Sequence, residues 1–162
     1  MRKSCIIFIM LMITGTAEAQ SGCDSTIEKH VFNPHRFKIL NECITVKGIV
    51  KWLVPGADGD MHIALKPDSG YTFRLNAANL LIWDSCLVCE IVCQHEPNPA
   101  AGVGDICKGY LNNIQVPPPG AHILVTGKFV EDDGEGIFGR YGWNEIHPVS
   151  KINRLAAPPS GR

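Results

Sequence analysis

Ile44-Thr45-Val46-Lys47-Gly48-Ile49-Val50-Lys51-Trp52 sets Ile44, Val46, Val50 and Trp52 against Thr45, Lys47, Ile49 and Lys51, the period of two expected of a long strand. Gly48 interrupts it. A glycine inside a strand marks a bulge or a sharp coil, which a strand needs if it is to serve two faces of a small barrel. Downstream, past the turn Pro55-Gly56-Ala57-Asp58-Gly59, Met61, Ile63 and Leu65 alternate with His62, Ala64 and Lys66. Pro67-Asp68-Ser69-Gly70 is a compact turn, and Tyr71, Phe73 and Leu75 repeat the alternation, so 60–75 is expected to form a hairpin.

Further strands are expected over Cys86–Cys93, His122–Val130 and Tyr141–Val149. Between the third and fourth, Gln94–Gly120 carries Pro97, Pro99, Gly102, Gly104 and Pro117-Pro118-Pro119-Gly120, the composition of a long loop insertion. Short helical turns are expected at 27–32, 76–81 and 106–111. Five strands in a chain of this length predict an all-β, five-stranded Greek-key barrel of the oligonucleotide/oligosaccharide-binding (OB) type. An immunoglobulin-like sandwich or jelly roll would need seven or eight evenly spaced strands.

At the other end of the chain, Arg2 and Lys3 precede an apolar run from Cys5 to Ile13, and Ala17-Glu18-Ala19 completes a secretory signal peptide over residues 1–19. The run is too short to span a bilayer. Residues 20–40 then form a lead-in, 41–153 the barrel domain and 154–162 a loose tail. Removing two bases and one acid with the signal moves the formal net charge from −1 to about −2, which disfavours general attraction to nucleic-acid phosphates. The location expected is secreted or periplasmic, with lipid anchoring at Cys23 in Ser21-Gly22-Cys23 as a minor alternative because Gln20 replaces the aliphatic residue such a signal wants.

Of seven cysteines Cys5 leaves with the signal, and Cys23, Cys43, Cys86, Cys89, Cys93 and Cys107 remain. In an exported chain an even set points to disulfides before metal. Cys89 and Cys93 in one strand would stand about 13 Å apart, too far to bond, so strand cysteines would each need a partner outside it. Cys93 with Cys107 is the favoured pair, closing the polar loop between them.

Gly48-Ile49-Val50, Asp58-Gly59-Asp60-Met61-His62-Ile63, Leu87-Val88-Cys89-Glu90-Ile91-Val92, Val125-Thr126-Gly127-Lys128-Phe129-Val130 and Gly142-Trp143-Asn144-Glu145-Ile146-His147-Pro148-Val149 fall on the five strands in turn. Together they resemble a family of small exported bacterial and archaeal OB-fold-like domains with a DGDxH and GWxEIHP signature, a family without an established activity. The resemblance implies the fold and the signature positions and names no reaction. Ile137-Phe138-Gly139-Arg140 lengthens the link before the fifth strand beyond the shorter acidic link expected of that family.

In the usual barrel order 1-2-3-5-4, the second, third and fifth strands are neighbours, and alternation lets His62, Glu90, Glu145 and His147 face one way. Two imidazoles and two carboxylates on rigid strands suit zinc or another divalent metal. With an open coordination position the ion would activate water, making a metal-dependent hydrolase the alternative function. The plainer account has His62 hydrogen-bonded in its turn beside Asp60, the two glutamates paired with Lys47, Lys51 or Arg74, and Trp143 as packing. The leading function is a disulfide-stabilised binding or interaction module whose ligand is a glycan, a peptide or partner protein, or less readily a nucleic acid. Tyr71, Arg74 and Trp143 are its candidate ligand-binding residues.

Overall fold

In a computed structural model, which describes residues 22–134 and 142–156, the first strand β1 (Phe37–Pro55) changes partner at Gly48. Its first part pairs antiparallel with β4 (His122–Asp132) and its second with β2 (Met61–Pro67); Gly48 lies opposite both Ile123 and Pro67. A Cβ at Gly48 would strike the Lys66 carbonyl oxygen, so the glycine permits a close crossing of backbones. The register shift in the β1–β2 ladder falls two residues later, between Val50 and Trp52. β3 (Leu87–Ile91) pairs antiparallel with β2 and parallel with β5 (Trp143–Arg154), and β5 returns antiparallel to β4. The five strands thus form a mixed sheet that closes into a ring in the order β1-β2-β3-β5-β4, as expected.

The interior of the ring is apolar. Val46, Val50, Ile63, Leu65, Leu87, Cys89, Ile91, Ile123, Val125, Phe129, Ile146 and Val149 fill it from all five strands. Burying an aliphatic side chain of this size stabilises by about 1.5–3 kcal/mol.

Several local expectations are corrected. Tyr71-Thr72-Phe73-Arg74 lies in a 3-10 helix, Ser69–Arg74, instead of a hairpin strand. Three alternating apolar residues are too few to distinguish a strand from a tight helical turn, and Asp68 caps the turn by accepting the Tyr71 N–H through its carbonyl at 2.8 Å. β1 starts at Phe37, inside the expected lead-in, and β5 runs one residue past 153. Asp105–Gly109 turns without forming a helix, whereas Ser25–His30 is a 3-10 helix and α1 (Ala77–Leu81) is helical, its Asn76 and Asn79 side chains each accepting the other's backbone N–H. The loop expected between the third and fourth strands covers residues 92–121.

Two disulfides form, Cys23–Cys43 and Cys93–Cys107. Cys23 therefore has its sulfur in a disulfide, and the same atom cannot at once carry a lipid thioether. Cys86 and Cys89 are free and buried, against the expectation that strand cysteines find outside partners. Burial pushes both thiols up, Cys89 the further, which keeps them protonated and unreactive. Cys93 escapes the strand geometry because it sits beyond β3 at φ 51°. No helix among the described residues is long and apolar enough to cross a membrane. The expected signal peptide over residues 1–19, Ile137–Arg140 and residues 157–162 lie outside the described residues.

Candidate functional site: a buried His and carboxylate cluster

The candidate His and Glu residues converge on the outer face of the ring, not within it. On β3, Leu87, Cys89 and Ile91 point to the interior, so Glu90 points outward. Register then assembles the cluster: His62 is opposite Glu90 across β2–β3, and the parallel β3–β5 pairing sets Glu145 beside Val88 and His147 one step beyond. All but His62 are sealed from solvent: Glu90 is 3%, Glu145 0% and His147 1% exposed. Glu90 and Glu145 therefore do not pair with Lys47, Lys51 or Arg74; Lys47 pairs with Asp68 at 3.5 Å instead.

What covers this face is the lead-in. Phe37 lays its ring against His147 with centroids 4.7 Å apart, and Arg36 reaches Asp132 at 3.2 Å. Ile27, Val31, Val92, Phe37 and Tyr110 form a second apolar cluster over the same face. Cys23–Cys43 and the Lys128 ammonium, 2.8 Å from Glu28 and 3.0 Å from Glu42, fasten the lead-in to the sheet. A cavity of about 130 Å³ remains between the two, lined in part by Val31, Pro34, Phe37, Val130 and His147.

Inside the cluster His147 is the hub. In the tautomer with its proton on Nδ1, the ring donates to Glu145 Oε1 at 3.0 Å, and the other oxygen of Glu145 accepts the Trp143 indole N–H at 2.8 Å. In the neutral ring this places the lone pair on Nε2, which faces Asp60 Oδ2 at 3.7 Å. Glu90 Oε2 lies 3.1 Å from His147 Nδ1 and 3.5 Å from His62 Nε2. Asp60 Oδ1 accepts the Cys93 N–H at 2.8 Å. Three buried atoms, Asp60 Oδ2, Glu90 Oε2 and His147 Nε2, have no hydrogen-bond partner. Such orphans are rare and costly inside proteins.

The electrostatics follow from taking three carboxyls out of water. Burial, countered by the His147 charge, pushes Asp60 up to about 7. Burial and the neighbouring Asp132 push Glu145 up to about 8, although the Trp143 N–H and the Arg36 guanidinium pull it back. Burial and the Glu145 charge raise Glu90 well above the carboxylate range. Burial lowers His62.

Of the four predicted metal-ligating residues, Glu90, Glu145 and His147 meet directly and His62 stands at the edge, its side chain 25% exposed. Asp60 was the residue missed. It precedes His62 by two, so period-two alternation already put both on one face. Asp60, Glu90 and His147 each offer one ligand atom, and these atoms lie within 4.8 Å of one another. Trp143 packs against Ala78, Val88 and Trp83, with Trp83 edge-on at 5.4 Å, and gives its N–H to Glu145. Tyr71 is half-buried against the interior core, and the Arg74 guanidinium lies 4.5 Å from the Phe73 ring and 5.3 Å from that of Phe129. No family model, curated protein or solved structure matches the chain.

Proposed function

We propose that the protein is an exported binding module on an OB-type Greek-key barrel, and that its ligand is an apolar segment of a partner protein or peptide. The observation that carries this reading is the connection between β2 and β3. It leaves Phe73 68%, Leu80 52% and Leu81 85% exposed, with Ile82 beside them. Ala77, Ala78, Leu81 and Ile82 line an open hollow of about 260 Å³. The run Leu80-Leu81-Ile82 sets three large apolar side chains side by side at the surface, and such groups mark interaction surfaces, whereas single ones need no explanation. Two disulfides suit an oxidising compartment, where a signal peptide over residues 1–19 would deliver the chain.

A peptide is favoured over a glycan because the predicted Tyr71 and Arg74 pack within the chain, and the exposed side chains beside the hollow are aliphatic. The hydrolytic alternative has less support. A substrate would have to displace Phe37 and the lead-in to reach His147.

The test is site-specific photocrosslinking in cells exporting the full chain, with the probe at Leu81 and, as control, at the exposed Lys51. A discrete adduct at Leu81 that is absent at Lys51 and disappears with Leu80→Asp is expected. Equal labelling at the two positions, or none, overturns the reading.

A further inference from the structure

We propose that Asp60, Glu90 and His147 bind one divalent transition-metal ion of the zinc class, with Glu145 positioning His147 and His62 standing at the mouth. The site is independent of the apolar surface around α1. Three observations carry it. First, each of these three residues carries a buried atom without a hydrogen-bond partner; such atoms occur elsewhere among the described residues, but here three face one another. Each is at least nine-tenths buried, and one ion would satisfy them together.

Second, the Asp60–His147 pair is spaced as ligands and not as a hydrogen bond. Asp60 Oδ2 and His147 Nε2 are 3.7 Å apart, too long to share a proton. Two ligands of a tetrahedral zinc ion, with bonds of about 2.0–2.1 Å, are separated by about 3.4 Å. A contraction of a few tenths of an ångström, which a bound ion would impose, closes that gap.

Third, the surroundings of His147 are those of a metal-ligating histidine. Such a ring usually gives its other N–H to a carboxylate, which fixes the tautomer and raises the basicity of the ligating nitrogen. Glu145 accepts that N–H at 3.0 Å and is itself held by the Trp143 indole. Asp60 is fixed in the same manner: its Oδ1 takes the Cys93 N–H, leaving Oδ2 free to ligate. Cys93 in turn is anchored through its disulfide to Cys107.

The donor set selects the ion. One imidazole and two carboxylates suit zinc and its neighbours, whereas calcium would want six or more oxygens. His62 Nε2, 3.5 Å from Glu90 Oε2, stands outside the group of three ligand atoms, on the solvent side where an ion would enter. Held by these three residues under the lead-in, the ion would tie the start of β2 to β3 and β5.

The experiment uses the full chain with its disulfides formed, stripped with chelator and titrated with Co(II), reading the visible absorption of the bound ion. Saturation at about one equivalent, with the band displaced by zinc and unaffected by calcium, is expected. Asp60→Asn, whose amide oxygen still accepts the Cys93 N–H, and Glu90→Gln should each weaken binding more than about tenfold, and Glu145→Gln by about 10–100-fold with a shifted Co(II) spectrum. The Leu81→Asp chain should bind as the parent does. Absence of a saturable Co(II) band in the folded parent overturns the proposal, as does a parent-like affinity in Asp60→Asn. If His147→Gln fails to fold, the parent titration and Asp60→Asn still decide.

Discussion

β3 buries both of its sides, and does so with opposite chemistry. Toward the ring interior it presents Leu87, Cys89 and Ile91, all fully buried, among aliphatic neighbours from every other strand. Toward the outside it presents Val88 and Glu90, and Glu90 is 3% exposed beside a carboxyl, a histidine and an aspartate. The interior is closed by the sheet itself. The outer face is closed from beyond its own strands, by the lead-in from Ile27 up to Phe37 at the very start of β1 and by the loop around Cys93. The difference teaches that burial on the outer face depends on two covalent fasteners, while burial in the interior depends on packing alone.

The sharpest way to separate the two regions is pH, because only the outer one titrates. Asp60 and Glu145 bind their protons more tightly folded than unfolded, with pKa values raised to about 7 and about 8. Groups shifted upward stabilise the fold fully below their unfolded pKa, and that contribution is lost as pH rises through the folded value. His62, shifted downward, contributes above its unfolded pKa and opposes this on the acid side. For metal-stripped protein, stability attributable to Asp60 should fall by about 4 kcal/mol between pH 4 and pH 8, the worth of a rise of about three pH units in its pKa. Denaturant unfolding of the parent and Asp60→Asn across that range gives the difference profile. A flat one breaks the distinction. Added zinc should flatten the parent's decline, since the ion replaces the protons that leave.

Next in size is a cavity in the interior. Leu87→Ala should cost about 3–4 kcal/mol with no change in pH profile, because it removes aliphatic volume from a well-packed space and touches no titrating group. Replacing Cys93 and Cys107 together by Ser should cost about 3 kcal/mol, the value for a loop of this length. Unlike the core change, it should also speed backbone amide exchange at Asp60 and Cys93. If exchange there stays as slow as in Leu87→Ala, the disulfide does not hold the outer face shut.

How much of this was legible depends on the kind of pattern involved. The strand order and the gathering of Glu90, Glu145 and His147 followed from period-two alternation and the assumed ring, because register is a short-range consequence of turns and pleat. Alternation says which residues share a face, however, and not whether that face is covered. Glu90 therefore looked ready to meet a lysine, when Phe37 and Arg36 in fact roof the sheet beside it. Asp60 was overlooked because Asp58-Gly59-Asp60 has the composition of an exposed turn, and only the tertiary contact with Cys93 makes it interior. Tyr71, Phe73 and Leu75 misled for the converse reason: alternation persisted for three residues inside a helical turn.

The smallest expected change in stability belongs to the one region that neither closure explains. Leu81 is 85% exposed, outside the ring interior and away from the roofed face, so nothing in the folded chain depends on its side chain. Leu81→Asp should move unfolding stability by no more than about 0.5 kcal/mol, the range for surface substitutions. It should nevertheless abolish adduct formation by a photocrosslinker placed at the neighbouring Leu80. A residue kept apolar for the fold would show the reverse, a loss of stability with capture unchanged. The pairing of an unmoved unfolding curve with lost capture is therefore what distinguishes an interaction surface from an incompletely buried core, and circular dichroism melting run beside the crosslinking measures both on the same chain.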